Sequence, residues 1–287
     1  MKGKKICITT DCTCDLHQSF IKKHNIPIVY FYIETDTGRF KDVDEITSNN
    51  IFEYLINGGN KSETNAPPAE EFADIFSKLL TEYDEVIHIA ISSKISECVK
   101  NSTASVAMLG ENGNRVHIFD SGHLSTGIGH LVIRAVHLAQ TGCTSEEIIT
   151  ELELMKNRVS TTFMADNADY LYRNGKVSKT VKNICNFFNI HPVLEMRDGF
   201  LKLKSMQIGN YEKSALRYVR KELKDADNIK KARIFITHAG CSVSDIKLVK
   251  EEITKLKKFD EILVTKASAT ISGNSGPRTF GVLFERE

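Results

Sequence analysis

The strongest constraint on the fold is an alternation of short apolar runs with amphipathic segments in the first half of the chain. The runs KKICITT, EVIHIAI and RVHIFD are typical of buried strands, and each precedes a stretch with helical periodicity. Strands that alternate with helices favour a parallel sheet covered by helices on its faces. We therefore predict an α/β fold, with a parallel sheet in its N-terminal part.

The second half of the chain has a different pattern. The runs HPVLEM and FLKLKSM flank an Asp-Gly turn and predict a hairpin, and further strands and helices follow in mixed order. This pattern indicates a mixed α+β domain. We predict an N-terminal α/β domain over residues 1–158 and a C-terminal α+β domain over 159–287. The last, glycine-rich segment is expected to return toward a ligand site between the two domains.

Small polar residues stand at the ends of the three predicted parallel strands. The pairs are Thr10-Asp11, Ser92-Ser93 and Asp120-Ser121. Ligands of such sheets bind beyond the carboxyl ends of the strands. Neutral hydroxyl donors suit an anion held by hydrogen bonds, and a helix that begins near Ser96 would add its positive N-terminal end.

Composition excludes several classes of function. The chain has 38 basic and 37 acidic residues, a net charge of +1, so no charge pattern predicts a nucleic-acid partner. No apolar run approaches the roughly 20 residues of a membrane span, which predicts no stable membrane insertion. The seven cysteines are odd in number and five of them are scattered, which predicts no disulfide framework and a cytoplasmic location.

Three local motifs suggest other chemistries but lack a required part. Cys12 and Cys14 have no second ligand pair at zinc-site spacing, so we predict no metal there. Gly127 and Gly129 lack the third glycine of a dinucleotide fingerprint, because Val132 occupies its place, and are expected to allow close helix packing. The run ISSKIS lacks the glycines that flank the serine of a hydrolase nucleophile elbow.

Six segments, in order along nearly the whole chain, resemble motifs of the DegV family. They are ITTDCTCDL, ETNAPPAEEF, IAISSKISECVKNSTAS, VHIFDSGHLSTGIGHLVIRA, YLYRNGKVSKTVKNICNFFNIHPVLEMRDG and GNSGPRTFG. The resemblance implies two α/β domains with a long-chain fatty acid buried between them. It also implies a carrier without catalytic activity or cofactor of its own, which presents the fatty acid carboxylate to a separate fatty acid kinase subunit that makes an acyl phosphate from ATP.

The resemblance also implies roles for individual residues. The carboxylate is expected at Thr64, Ser92, Ser93 and Asn274. Asp11, Cys12 and Ser121 are expected at the mouth of the pocket, and Arg173 is a candidate for partner docking or phosphoryl transfer.

Two residues of the closing loop depart from the family pattern. Asn274 stands where the family has histidine, and Arg278 replaces a glycine. These changes are expected to alter the usual arrangement around the headgroup.

Two other functions remain open from the sequence. The strand-end serines and threonines could serve an enzyme that acts on a small acyl or phosphorylated substrate. Alternatively, the chain could be an interaction protein with a vestigial pocket.

Overall fold

The computed structural model describes residues 4–59, 62–173, 175, 178–224 and 228–287. Among these residues the strands are β1 (Ile6–Asp11), β2 (Ile28–Val29), β3 (Tyr32–Thr35), β4 (Gly38–Lys41), β5 (Ser62–Asn65), β6 (Glu85–Ala90), β7 (Val116–Asp120), β8 (Val159–Met164), β9 (Ile190–Arg197), β10 (Phe200–Ile208), β11 (Ile229–Ala239), β12 (Glu261–Lys266) and β13 (Thr279–Arg286).

The α-helices of the same residues cover the sheets and connect their strands. They are α1 (Gln18–Lys23), α2 (Ser48–Ile56), α3 (Ala69–Leu79), α4 (Cys98–Met108), α5 (Thr126–Gln140), α6 (Ser145–Lys156), α7 (Asp169–Arg173), α8 (Lys179–Phe187), α9 (Tyr211–Glu222), α10 (Val243–Leu256) and α11 (Ala269–Ser275). None of the helices described is long and apolar enough to cross a membrane.

The first sheet is parallel, as the sequence predicts. Its strand order is β2-β1-β6-β7, and every residue of β6 is buried. Thr9 pairs with His88 and Thr10 with Ile89, so the carboxyl ends of the central strands lie side by side. The polar residues that follow these strands therefore reach one edge of the sheet.

The second sheet is mixed and has the order β10-β9-β8-β13-β11-β12. The predicted hairpin is present as β9 and β10, and Asp198 and Gly199 form its turn with φ of 56° and 78°. Strand β13, the last of the chain, lies between β8 and β11. The last strand therefore lies in the interior of the second sheet. The domain boundary at residue 158 stays a prediction, although β8 begins at Val159.

A third, antiparallel sheet of order β4-β3-β5 was not predicted. The run PIVYFYI reads as one strand but divides into β2 and β3. The break has a tertiary cause, because the N–H of Phe31 donates to Cys12 Sγ at 3.3 Å instead of extending the parallel sheet. The chain then turns away, and β3 pairs Ile33 with Thr64 of β5.

Helix α5 contacts strands of both large sheets. Its two glycines permit this contact. A Cβ at Gly127 would collide with Thr161 Oγ1 of β8, and one at Gly129 would lie 2.8 Å from Leu16 Cδ2. The predicted role of these glycines in close packing is confirmed. One hydrophobic core accordingly joins the helices of the first sheet to Phe235 and Leu283 of the second.

Candidate functional site

A cavity of about 320 Å³ lies between the two large sheets. It meets the carboxyl ends of the parallel strands, where Ile91 follows β6 and Leu124 follows β7. Much of its wall is apolar. The apolar lining residues are Phe31, Ala66, Ile91, Ile95, Leu124, Phe163, Leu171, Leu201, Ala239, Ala267, Ile271 and Leu283. The cavity can therefore hold an apolar molecule against a largely apolar wall.

Polar side chains from several elements, including β5 and α11, also line this cavity. Thr64 lies on β5, Ser96 precedes α4, and Asn274 and Ser275 end α11. Ser275 is only 8% exposed, and its hydroxyl has no hydrogen-bond partner among the described residues. An unpaired buried hydroxyl is costly, so a ligand oxygen at this position would satisfy it.

Two further polar side chains of this wall, Ser96 and Asn274, are partly engaged within the protein. The Ser96 hydroxyl accepts from the N–H of Cys98 at 3.2 Å, which leaves its own O–H available to a ligand. The amide of Asn274 donates to the Thr270 carbonyl at 2.8 Å. Because asparagine does not titrate, this position stays neutral at every pH.

Helix α11 is held in place by two buried carboxylates that are distant in the sequence. Asp42 accepts from the N–H groups of Ala269 and Thr270 at 2.7 and 2.8 Å. Asp15 accepts from the Ser268 N–H at 2.8 Å and from the Ser125 hydroxyl at 2.6 Å. Asp15 follows β1 of the first sheet and Asp42 follows β4 of the third, so these contacts tie the polar wall of the cavity to both sheets.

Burial changes the protonation of both carboxyls. It raises the pKa of Asp15 to about 8, and the hydrogen bonds from Ser125 and Ser268 only partly oppose the rise. Burial also raises the pKa of Asp42, against the hydrogen bonds from Thr270 and Ala269. The charge at the start of α11 therefore depends on pH.

The structure brings two of the four predicted carboxylate-binding residues to the cavity, Thr64 and Asn274. Ser92 and Ser93 are not among its lining residues. The Ser92 hydroxyl donates to the Gly199 carbonyl at 2.7 Å, and that of exposed Ser93 donates to Asp120 at 2.5 Å. The serine of this motif that reaches the cavity is Ser96.

The three residues predicted at the pocket mouth are buried away from this cavity. Asp11 and Ser121 are 0% exposed, and Cys12 is 5% exposed. Cys12 instead lines a second cavity, of about 400 Å³, whose wall shares His238 and Ala267 with the first. Sequence reasoning missed His238, whose Nδ1 has no hydrogen-bond partner in the described part of the chain.

Arg173 and Arg278 have different surroundings. Arg173 is exposed at the end of α7, with its guanidinium 5.8 Å from the ring centre of Tyr170. Arg278 forms ion pairs with Asp245 at 2.9 Å and Glu212 at 2.8 Å and does not line the cavity. Its φ of 59° lies in the left-handed region, which explains why glycine suits this position.

The fold and the site define a class of protein. This is an α/β protein with two large sheets and a small third sheet, and its internal cavity fits an apolar ligand with one polar end. The family model described as "Uncharacterised protein, DegV family" matches residues 5–287. The chain belongs to the DegV family.

Individual relatives cover nearly the same length. A DegV domain-containing protein of Caldanaerobacter subterraneus subsp. tengcongensis is 29% identical, over 99% of this chain and 100% of its own. A DegV family protein of Thermus thermophilus, whose structure is described by its fatty acid binding, is 26% identical with a TM-score of 0.88, over 99% and 100% of the two chains. DegV of Bacillus subtilis, described as a fatty acid binding protein, shares the fold at 23% identity and a TM-score of 0.84, over 99% and 100%. Homologues of this chain thus bind fatty acids in their structures.

Proposed function

We propose that this chain binds a long-chain fatty acid in the cavity between its two large sheets. The observation that carries the proposal is a mostly apolar wall that includes the buried hydroxyl of Ser275, which has no partner among the residues described. Thr64, Ser96 and Asn274 line the same cavity. Together these groups are suited to receive a carboxylate. The fatty acid binding described for the relative from Thermus thermophilus supports the same ligand class.

The acyl chain and the carboxylate are expected to contribute differently to the free energy of binding. Each buried methylene contributes about 0.8 kcal/mol, so about 15 of them contribute roughly 12 kcal/mol before the cost of association. A hydrogen bond to a charged carboxylate adds only about 1.5–3 kcal/mol. The acyl chain therefore supplies most of the affinity, and the hydroxyls fix the position of the carboxylate. The second cavity, with its shared wall at His238 and Ala267, would give a long chain further room.

A comparison of palmitate with hexadecanol tests this division. Both ligands have the same tail, but only palmitate places a charge at the polar end of the cavity. We expect both to bind, and palmitate to bind about ten- to hundredfold more tightly. Isothermal titration with delipidated protein, below the aggregation limit of each ligand, measures the difference. Equal affinities, or no binding of either ligand, would contradict the proposed site.

We further propose that the bound carboxylate is presented to a separate kinase subunit, which forms an acyl phosphate from ATP. The resemblance to the binding subunit of fatty acid kinases supports this role, with a cytoplasmic location and no cofactor for the binding step. Arg173 is exposed and can grip a carboxylate or phosphate through two N–H groups. It is our candidate for kinase docking or phosphoryl transfer.

Arg173→Ala tests the kinase step separately from fatty acid binding. We expect normal palmitate affinity but much slower acyl phosphate formation with a cognate kinase. Arg197→Ala is the matched control, because Arg197 is also exposed and lies on β9 at 3.5 Å from Glu195. Equal turnover by wild type and Arg173→Ala would refute the role of Arg173. If no cognate kinase formed acyl phosphate from the bound fatty acid, although palmitate still bound, presentation to a kinase would be refuted and fatty acid binding would not.

No observation favours the alternative of an enzyme at the strand-end serines. The hydroxyls of Ser92 and Ser93 both donate to oxygen acceptors. A nucleophilic serine needs a base such as histidine in that position. We therefore put forward the carrier function only.

A further inference from the structure

A cluster of potential metal ligands lies on one face of the parallel sheet, and none of its residues lines the cavity. Asp11 ends β1, His88 is in the middle of β6, and Cys98 begins α4. One ligand atom from each lies within 4.8 Å of the other two, and all three residues are buried. Because Thr9 pairs with His88 and side chains alternate along a strand, Asp11 and His88 face the same side of the sheet.

His88 is the unusual member of the cluster. It is 0% exposed, and neither of its ring nitrogens has a hydrogen-bond partner among the described residues. Its ring packs against Phe72 and Phe76, with centroid distances of 5.3 and 5.6 Å. Leaving a buried polar group unpaired costs about 1–3 kcal/mol, so a packing role alone would favour an apolar side chain here.

Asp11 and Cys98 already have a geometry suited to joint coordination. Cys98 Sγ lies 3.7 Å from Asp11 Oδ2. Zinc bonds of about 2.0–2.3 Å place two ligands of a tetrahedron roughly 3.3–3.8 Å apart. Asp11 is oriented by the N–H groups of Ile91 at 2.7 Å and Thr13 at 3.0 Å. Such supporting hydrogen bonds fix a carboxylate toward a metal.

We propose that Asp11, His88 and Cys98 form a binding site for one Zn²⁺ ion. Neutral His88 would donate a ring nitrogen, Asp11 a carboxylate oxygen, and Cys98 a thiolate after loss of its proton to solvent. The ion and its two anionic ligands together carry no net charge, which limits the cost of burial. A water molecule would complete the tetrahedron, as in other zinc sites with three protein ligands. Closing the 4.8 Å separation requires side-chain movements of roughly 1 Å.

The bound ion would join three elements next to the cavity, since Ile91 follows β6 and Ser96 precedes α4 on the cavity wall. Strand β1, strand β6 and the start of α4 meet at this site, and Ser96 lies two residues before Cys98. The predicted effect is therefore structural. The sequence prediction of no metal considered only the spacing of Cys12 and Cys14, whereas these three ligands come from separate elements.

The test uses the full chain without affinity tag, refolded under reducing conditions with one equivalent of Zn²⁺ or Co²⁺, because the site is closed in the native fold. After desalting, we expect close to one Zn²⁺ per chain by mass spectrometry of the metal. The Co²⁺ protein should show the intense visible bands of tetrahedral cobalt and a sulfur-to-cobalt charge-transfer band.

Two variants and one control assign the ligands. Cys98→Ala should abolish the charge-transfer band, whereas Cys7→Ala, which removes another buried thiol of the first sheet, should keep it. His88→Leu should lower Zn²⁺ affinity at least about tenfold, because even the mutation of an outer-shell partner typically lowers metal affinity about 10- to 100-fold. It should also stabilise the metal-free protein, because it removes two unpaired nitrogens. A band that persists in Cys98→Ala, or a wild-type protein without bound metal after refolding, would overturn the proposal.

Discussion

The hydroxyl of Ser275 gives a prediction in which protein stability and ligand affinity change in opposite directions. In the ligand-free protein this buried hydroxyl has no partner among the described residues. Ser275→Ala should therefore stabilise the empty protein, by up to about 1 kcal/mol, because an unpaired polar group is removed and little packing is lost. The same change should weaken palmitate binding by about 1.5–3 kcal/mol, roughly ten- to hundredfold, because a hydrogen bond to the carboxylate is lost.

Ser272→Ala is a matched control on the same helix. Ser272 is also buried, but its hydroxyl donates to the Ala267 carbonyl at 3.3 Å and does not line the cavity. Its removal should destabilise the protein by about 0.5–1.5 kcal/mol and leave palmitate affinity unchanged. Urea unfolding of delipidated protein measures the first quantity, and isothermal titration measures the second. If Ser275→Ala destabilised the empty protein and bound palmitate normally, Ser275 would be a structural residue and the proposed headgroup site would be wrong.

Two further predictions test the headgroup and the support of α11. Thr64→Val, which keeps the side-chain shape, should weaken palmitate binding by about 1.5–3 kcal/mol and leave hexadecanol binding unchanged. Ser93→Ala should leave the binding of both ligands unchanged in the same titrations. If Ser93→Ala weakened palmitate binding and Thr64→Val did not, the carboxylate would lie at Ser93 instead. The pKa of Asp15 is about 8 in the folded protein and about 3.9 in the unfolded chain. Between these pH values the folded protein therefore holds one proton more than the unfolded chain. Because of this difference, the contribution of Asp15 to the free energy of unfolding falls as pH rises across that range. Asp15→Asn should reduce the loss of stability between about pH 5 and pH 8 in urea unfolding, and an unchanged pH profile would show that Asp15 does not titrate there.

Local patterns predict much of the scaffold. Strand β6 is a short, mostly apolar run that is buried throughout, and the Thr144-x-x-Glu147 spacing is typical of the capping box found at the start of α6. The turn at Asp198-Gly199 sets the register of β9 and β10. In each case the determining residues are close together in the sequence, so the pattern contains the information needed.

The features that the sequence did not predict depend on distant contacts. Helix α11 begins where Asp42 accepts its first N–H groups, and Asp42 is more than two hundred residues away in the chain. Whether Ser93 or Ser96 reaches the cavity depends on the direction of each side chain after β6. The Ser93 hydroxyl is directed to Asp120, to which it donates a hydrogen bond. The unpaired hydroxyl of Ser275 is recognisable only once the surrounding chain is folded. Site geometry of this kind needs the structure.

The most direct test of fatty acid binding is mass spectrometry of the lipid carried by the protein itself. The full chain is expressed in bacteria, purified without detergent and extracted with organic solvent, and the extract is analysed for fatty acids against the amount of protein. We expect close to one long-chain fatty acid per chain, or stoichiometric uptake when the delipidated protein is offered palmitate. An extract without fatty acid, together with no uptake of supplied palmitate, would contradict fatty acid binding by this chain.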